Sequence, residues 1–288
     1  MRAGRNDPAA ARAVPPALVA ILLWASFATL GLKLRHIPAF LLVGLALGIG
    51  SLLSLGGIRS WFVRPWVLLF GTASFFAYHL FLLLAIRLAP PVEANLINYL
   101  WPILIVLLSG IILPGHRLGV RHIVGGLTAF LGAALALTHG RLSFDYAYLP
   151  GYALALGAAV VWAVYSVITR KLRPFPNAAV GGFCFFSAVL SLLGHAAFEP
   201  SVRLDRSDIL LLLALGIGPM GAAFYAWDIA LKRGDPRLIG TLAYLTPLLS
   251  TVMLSVFGTG VALSWHAIAA LVLIVGGAGI SASRAPRR

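Results

Sequence analysis

Charged residues are scarce in this chain. Only 10% of it is Asp, Glu, Lys or Arg, where a water-soluble domain carries about 25%. With 60% hydrophobic residues and a mean hydropathy of +0.96, too few polar side chains remain to cover a water-facing surface. That excludes a soluble globular protein. Acid is scarcer still: 8 Asp and Glu against 22 Lys and Arg give a net charge of +14. The basic residues form no single patch. They stand in short clusters between apolar runs, a pattern that orients membrane helices rather than binding nucleic acid. The lone cysteine, Cys184, excludes an intrachain disulfide and is expected to pack as a small apolar residue. HExxH, Walker A and GxSxG motifs are absent, as is any nucleophile–base pair or metal-ligand cluster. No enzyme activity, cofactor or metal is therefore expected. Without an ATPase domain, any transport is passive or ion-coupled.

What the chain has is apolar length. A helix needs roughly 20 mostly apolar residues to cross a bilayer. That rule predicts ten spans, at 17–34, 38–56, 65–87, 91–113, 120–139, 150–170, 177–198, 208–231, 236–257 and 264–283. Short basic or Pro/Gly stretches separate them, among them "GGIRSWFVRP", "LAPP" and "KRGDPR". Residues 1–15, with three arginines and two prolines, read as a disordered cytoplasmic tail. A positive start before an apolar stretch also suggests a signal peptide. Cleavage is not expected, because the first span has a partner later in the chain.

Six basic residues, Lys33, Arg35, Arg87, Arg141, Arg203 and Arg206, fall on one side of this topology, and the other sixteen on the opposite side or the tails. The richer side stays in the cytoplasm, so both termini are expected inside.

The chain also repeats itself. "WASFATLGLKL" (24–34) matches "WAVYSVITRKL" (162–172), and "NYLWP" (98–102) matches "AYLTP" (243–247). "RHIVGGLTAFLGA" (121–133) matches "WHAIAALVLIVGG" (265–277), and Arg87 and Pro91 match Lys232 and Pro236. The offsets, 138 to 145, place residues 16–140 and 150–284 as two copies of five spans. Five is odd, so the second copy enters the membrane from the opposite face. The expected fold is an all-α integral membrane protein of ten transmembrane helices in two inverted five-helix repeats, a plan common in secondary transporters.

The paired Trp-Ala of spans 1 and 6 and the "P-x7-Y-L-x-P" of spans 4 and 9 resemble the drug/metabolite transporter superfamily. Within it the chain is similar to the EamA-type group, and especially to the bacterial aromatic amino-acid exporters of the YddG type. This resemblance implies a bacterial inner-membrane exporter. Its central cavity would be lined by spans 1, 3, 4, 6, 8 and 9 and would take a small-molecule amino acid by alternating access. A monomer in the lipid bilayer is expected, with no nucleic-acid partner.

Polar groups inside a membrane are costly unless paired or facing water. Span 3 offers Tyr78 and His79, and span 4 offers Asn95, Asn98 and Tyr99, each set within about 100° on a helix, with Trp101 beside Asn98. In one reading the asparagines join helices and the aromatics fill the bundle. In the other they line a substrate cavity, the amides bonding an amino acid's charged groups and the rings stacking on its side chain. Trp24 and Trp162, several residues inside their spans, Tyr165 and Tyr244 complete the candidate binding set. Pro102 and Pro247 are candidate hinges or plain packing kinks. His79 is either a proton carrier or a neutral wall group, and no mid-depth carboxylate makes a relay with it. Glu93 and Asp228 are expected at the interfaces, paired with Arg87 and Lys232. Trp61, Trp66 and Trp265 are expected as interface anchors. Gly44, Gly48, Gly125, Gly126, Gly132, Gly276, Gly277 and Gly279 suit close helix packing. Mid-span cations are absent, which disfavours phosphorylated substrates. Export of aromatic and other apolar amino acids is the leading expectation. An exporter of lipophilic cations or other metabolites is the alternative within transport, and an intramembrane enzyme or lipid-handling protein the one outside it.

Overall fold

In the computed structural model, residues 8–116, 118–138, 140–141, 144–172, 174–254, 256–257 and 265–283 are described. The described chain is helical. In order it forms α1 (Pro8–Lys33), α2 (Ala39–Leu52), α3 (Pro65–Leu88), α4 (Pro91–Asn98), α5 (Trp101–Ile112) and α6 (Val120–Thr138). The remainder forms α7 (Leu149–Lys171), α8 (Ala179–Phe198), α9 (Arg206–Ile217), α10 (Ala223–Arg233), α11 (Pro236–Leu242), α12 (Leu245–Leu254) and α13 (Trp265–Ala282). In lipid each backbone polar group must be satisfied within its own segment, which leaves the helix as the default for apolar runs of this length. The outward faces match that solvent: Leu69, Ile111 and Val272 are 70%, 76% and 66% exposed.

Among the described residues, eight helices are long and apolar enough to cross a membrane, and nine if a bent pair counts as one. The bent pair is α2 and the 3-10 turn Leu55–Trp61, which leave each other at 99°. Residues beyond Leu52 therefore depart from the straight span expected over 38–56. The stretch expected as span 9 contains α11 and α12 and runs into residues outside the described set.

Helices meet in a regular set of pairs. α6 lies on α13, α2 on α8, α3 on α7, α1 on α10, and α5 on α11. Glycines show how close two of these pairs come. A Cβ on Gly125 would sit 2.5 Å from the Gly277 carbonyl oxygen, and one on Gly277 would sit 2.5 Å from that of Gly125. Rising positions on α6 meet falling positions on α13, since Gly125 faces Ser281 while Gly132 faces Ala270. The same holds for α2 and α8, where Gly194 faces Phe40 and Gly48 faces Ala188. Both pairs run antiparallel. Gly276 and Gly279 have no heavy atom within 4 Å of a Cβ position, so they face away from this packing.

Three local expectations are corrected here. The segment expected as a disordered tail is helical from Pro8 onward, because Ala13, Ala17 and Ala20 are fully buried and a continuing helix keeps their backbone paired. Trp61 is not an interface anchor: it is buried, and its indole N–H donates to Ser54 Oγ at 2.8 Å. Trp66 and Trp265 are exposed, at 50% and 67%. Arg87 pairs with Glu199 at 3.1 Å rather than with Glu93, while Asp228 does take Lys232, at 2.6 Å, as its partner.

Candidate functional site

The span containing "NYLWP" is interrupted within those letters. α4 stops at Asn98, the chain turns through Tyr99 and Leu100, and α5 starts at Trp101. Pro102 follows directly, inside the first turn of α5. There its missing N–H is one of the groups a helix start leaves unpaired in any case. The next free amide, Ile103 N–H, donates to the Tyr244 hydroxyl at 3.1 Å. The second copy is interrupted one residue earlier in the motif, between α11 and α12 at Ala243 and Tyr244, with Pro247 in the first turn of α12. Both prolines thus follow a two-residue break, and across the first of these α4 and α5 still continue as one span, Pro91–Ile112.

A cavity of about 250 Å³ lies against the first break. Its walls come from α1 (Trp24, Phe27, Ala28), α3 (Tyr78, His79, Leu82, Ile86), α4 and α5 (Pro91, Asn95, Asn98, Tyr99, Trp101), α7 (Trp162), the α9–α10 junction (Pro219, Met220, Phe224) and α12 (Thr246, Ser250). Eight of the ten sequence candidates are therefore brought together. Tyr165 and Tyr244 are not among the lining residues. Tyr165 stacks behind Trp162, centroids 5.2 Å apart, and Tyr244 is fully buried with its hydroxyl spent on α5. The sequence reading missed Phe224, Met220, Thr246 and Ser250. For Thr246 a signal existed: it is the repeat mate of Trp101.

The lining rings pack on one another and on rings behind them. Trp24 lies 5.1 Å from Trp227 and 5.9 Å from Trp162, Trp101 lies 5.4 Å from Trp227, and Phe75 lies 4.8 Å from Phe224. These spacings suit tilted and edge-to-face contacts. Behind this layer Trp227 is fully buried and its indole N–H donates to Ser166 Oγ at 3.1 Å. One residue on, Asp228 accepts from Lys232 and from the Asn177 amide, the latter at 2.8 Å. Arg170 donates to the carbonyls of Leu231 and Lys232, capping the end of α10. Between α9 and α10 the backbone takes a π turn over Gly218–Ala222, and Pro219 and Met220 of that turn reach the cavity. Single π turns of this kind are frequent at functional sites.

The cavity's polar equipment is small and directional. His79 Nδ1 lies 2.7 Å from the Phe75 carbonyl oxygen. A carbonyl only accepts, so Nδ1 carries the hydrogen, and in the neutral ring Nε2 is left as an acceptor. Asn98 Nδ2 reaches toward the Tyr78 hydroxyl at a long 3.5 Å. Asn98 Oδ1 and Thr246 Oγ1 are buried without a hydrogen-bond partner. Such atoms cost about 1–3 kcal/mol each when left unpaired. No Asp, Glu, Lys or Arg is among the lining residues.

Outside the spanning segments one carboxylate is tightly held. Glu199, at the end of α8, accepts from the Phe40 and Leu41 amides at 3.0 and 3.2 Å, from Arg87 and from His195. Burial alone would raise its pKa, but these four donors hold it below the ordinary 4.5.

The sequence has relatives that bear on this arrangement. The EamA-like transporter family matches residues 12–138 and again residues 149–283. The "Aromatic amino acid exporter YddG" of Ancylobacter novellus is 45% identical over 277 residues, covering 93% of this chain and 96% of its own length. The protein of the same name from Escherichia coli is 24% identical over 259 residues, covering 83% and 86%. A solved crystal structure 43% identical in sequence superposes with a TM-score of 0.89, covering 95% of this chain and 97% of that one. This multi-pass helical membrane protein belongs to the EamA-like transporter family.

Proposed function

We propose that this protein exports aromatic and other apolar amino acids across the bacterial inner membrane, by alternating access through the cavity between α1, α3, α4, α7, α10 and α12. The observation that carries the reading is the cavity's chemistry. Broad aromatic faces suit an apolar side chain, while two buried polar atoms lack partners and no charged side chain is present. A zwitterion carries both charges itself, so a neutral wall with hydrogen-bonding groups meets it without leaving an unpaired ion. In this account the ammonium donates to Asn98 Oδ1 and His79 Nε2, both acceptors. The carboxylate takes the hydroxyls of Thr246 and Ser250, and the ring lies against Trp24, Tyr78, Tyr99, Trp101 and Trp162. His79 serves as a wall group. The relatives named as aromatic amino-acid exporters point the same way.

The ten-span inverted plan belongs to this proposal. Two family matches in tandem support duplicated halves. The antiparallel course of α2 against α8 and of α6 against α13 is what mates in opposed halves would show, and each half carries a short break ahead of its proline, Pro102 or Pro247. Both termini then lie in the cytoplasm, and the cavity opens toward the α3–α4 turn on the outer side. The aromatic layer and the Asp228–Lys232–Arg170 contacts close the inner side.

Purified protein in liposomes tests the function. Labelled phenylalanine and leucine should accumulate unchanged and compete with each other, while a lipophilic cation should not compete. Transport of the cation alone would favour the broad-exporter alternative, and a chemically altered product would favour an enzyme. A periplasm-active reporter fused after residue 288 should stay silent, and a strong signal there would overturn the topology.

A further inference from the structure

A second hollow, about 580 Å³ and open to the outside, lies apart from the central cavity. It lies between the first turns of α1, the end of α2 and the outer stripe of α10. Its apolar walls include Pro16, Val19, Leu53, Ala222, Ala226 and Ile229. Three polar residues also border it, yet their side-chain donors are engaged within the protein. Tyr225 donates to Ser54 Oγ at 3.0 Å, Ser54 also accepts from Trp61, and the Asn177 amide donates to Asp228 and to the Tyr225 carbonyl. The hollow therefore offers apolar surface and little hydrogen bonding, which suits a hydrocarbon chain better than a polar solute.

Its end on the proposed cytoplasmic side is positively charged. On α1, Arg12 precedes Pro16 by four residues and Val19 by seven, so it shares their face. On α10, Arg233 follows Ile229 by four and Ala226 by seven, again on one face. The two helix ends touch, because a Cβ on Gly234 would sit 2.7 Å from Ala13 Cβ. Arg12 and Arg233 are the chain neighbours of that contacting pair. Both are exposed, and no ion pair between either and an acid is found among the described residues.

We propose that this hollow binds an anionic phospholipid of the inner leaflet, one acyl chain lying along α1 and α10 and the phosphate held by Arg12 and Arg233. The inner leaflet is the proposed assignment of this end, and anionic headgroups are attracted by basic side chains beside a membrane helix. Guanidinium groups suit phosphate oxygens because they present paired N–H donors.

Native mass spectrometry of the full chain in mild detergent, with phosphatidylglycerol or phosphatidylcholine of the same acyl chains, tests this. Both lipids carry the phosphate, but in phosphatidylcholine the choline cation cancels its charge; at roughly fivefold per arginine for a net negative headgroup, retention of phosphatidylglycerol should exceed that of phosphatidylcholine by about 25-fold. The double substitution Arg12→Gln/Arg233→Gln should bring the ratio close to one. Both arginines are exposed, so it removes charge without opening the core. Val19→Trp, which fills the hollow from its exposed side, should reduce retention of both lipids. Soluble glycerol phosphate, a headgroup without a chain, should not displace the lipid. Equal retention of the two lipids by the unaltered chain, an unchanged ratio in the double variant, or undiminished binding by Val19→Trp would each overturn the site. None of these readouts involves transport or topology, so failure here is distinguishable from failure of the export proposal.

Discussion

"NYLWP" and "AYLTP" begin from the same plan and end in different jobs. Both interrupt a span around the shared tyrosine, the second one residue earlier in the motif, and put a proline in the first turn of the following helix. In the first copy Asn98, Tyr99 and Trp101 face the cavity. In the second, Ala243 and Tyr244 are fully buried in the bundle, and only Thr246 reaches the cavity. The difference follows from the neighbour each break meets. Tyr244 lies beside the start of α5, where an unpaired amide waits, and its hydroxyl takes it. The first copy thus gives three side chains to the cavity and the second gives one, while Tyr244 braces α5. The helix ends just before these breaks diverge likewise: Arg87 reaches across to Glu199 of the other half, whereas its mate Lys232 pairs within its own helix with Asp228.

Substitutions can break this comparison, and Trp101→Ala should do so most. It removes a ring packed on Trp24 and Trp227, so stability should fall by about 3–5 kcal/mol and phenylalanine should lose its advantage over leucine. If the two substrates lose affinity in parallel with the thermal midpoint, Trp101 is packing alone. Tyr99→Ala, less buried, should lower aromatic affinity about two- to tenfold at smaller cost to the fold.

Asn98→Ala should act on both substrates alike, since it removes an acceptor for the shared ammonium. About 0.5–1.5 kcal/mol is expected, read as a common rise in apparent dissociation constant with the phenylalanine-to-leucine ratio unchanged. A change in that ratio would place the amide against the side chain instead. For the second copy the expectation is reversed. Tyr244→Phe keeps the ring and strands the Ile103 amide, so stability should drop by about 1 kcal/mol while substrate affinity stays put. An altered substrate preference in that variant would mean that Tyr244 itself shapes the binding site.

The smallest effect concerns Glu199. Its pKa in the folded protein is below the ordinary value, so its stabilisation is complete above about pH 4.5 and fades as pH falls through the folded value. Thermal midpoints measured between about pH 3 and pH 6 should show a steeper acid decline for the unaltered chain than for Glu199→Gln. Matching slopes would show that the four donors around Glu199 together contribute nothing measurable.

The helical membrane character was legible because it depends on run length and on the dearth of charge, which one-dimensional counting captures. Eight candidate binding residues were legible for a related reason. A polar or aromatic side chain deep in an apolar run must find a partner or a cavity, and a helix places neighbours three and four apart on one face. Counting could not say which of those outcomes each residue met. Tyr165 and Tyr244 carry the same letters as the cavity tyrosines, yet they are turned into packing by Trp162 and by the Ile103 amide. Glu93 lies close in sequence to Arg87, but the α8 end brings Glu199 closer in space. Phe224, Met220 and Ser250 looked like ordinary span residues, and the π turn before α10 aims the first two into the cavity. By itself the sequence determined that the chain is a helical membrane protein and which segments resemble each other, since solvent transfer and backbone pairing act locally. Only the tertiary structure decided which side chains share a cavity and which brace it, because that depends on the helices each break is packed against.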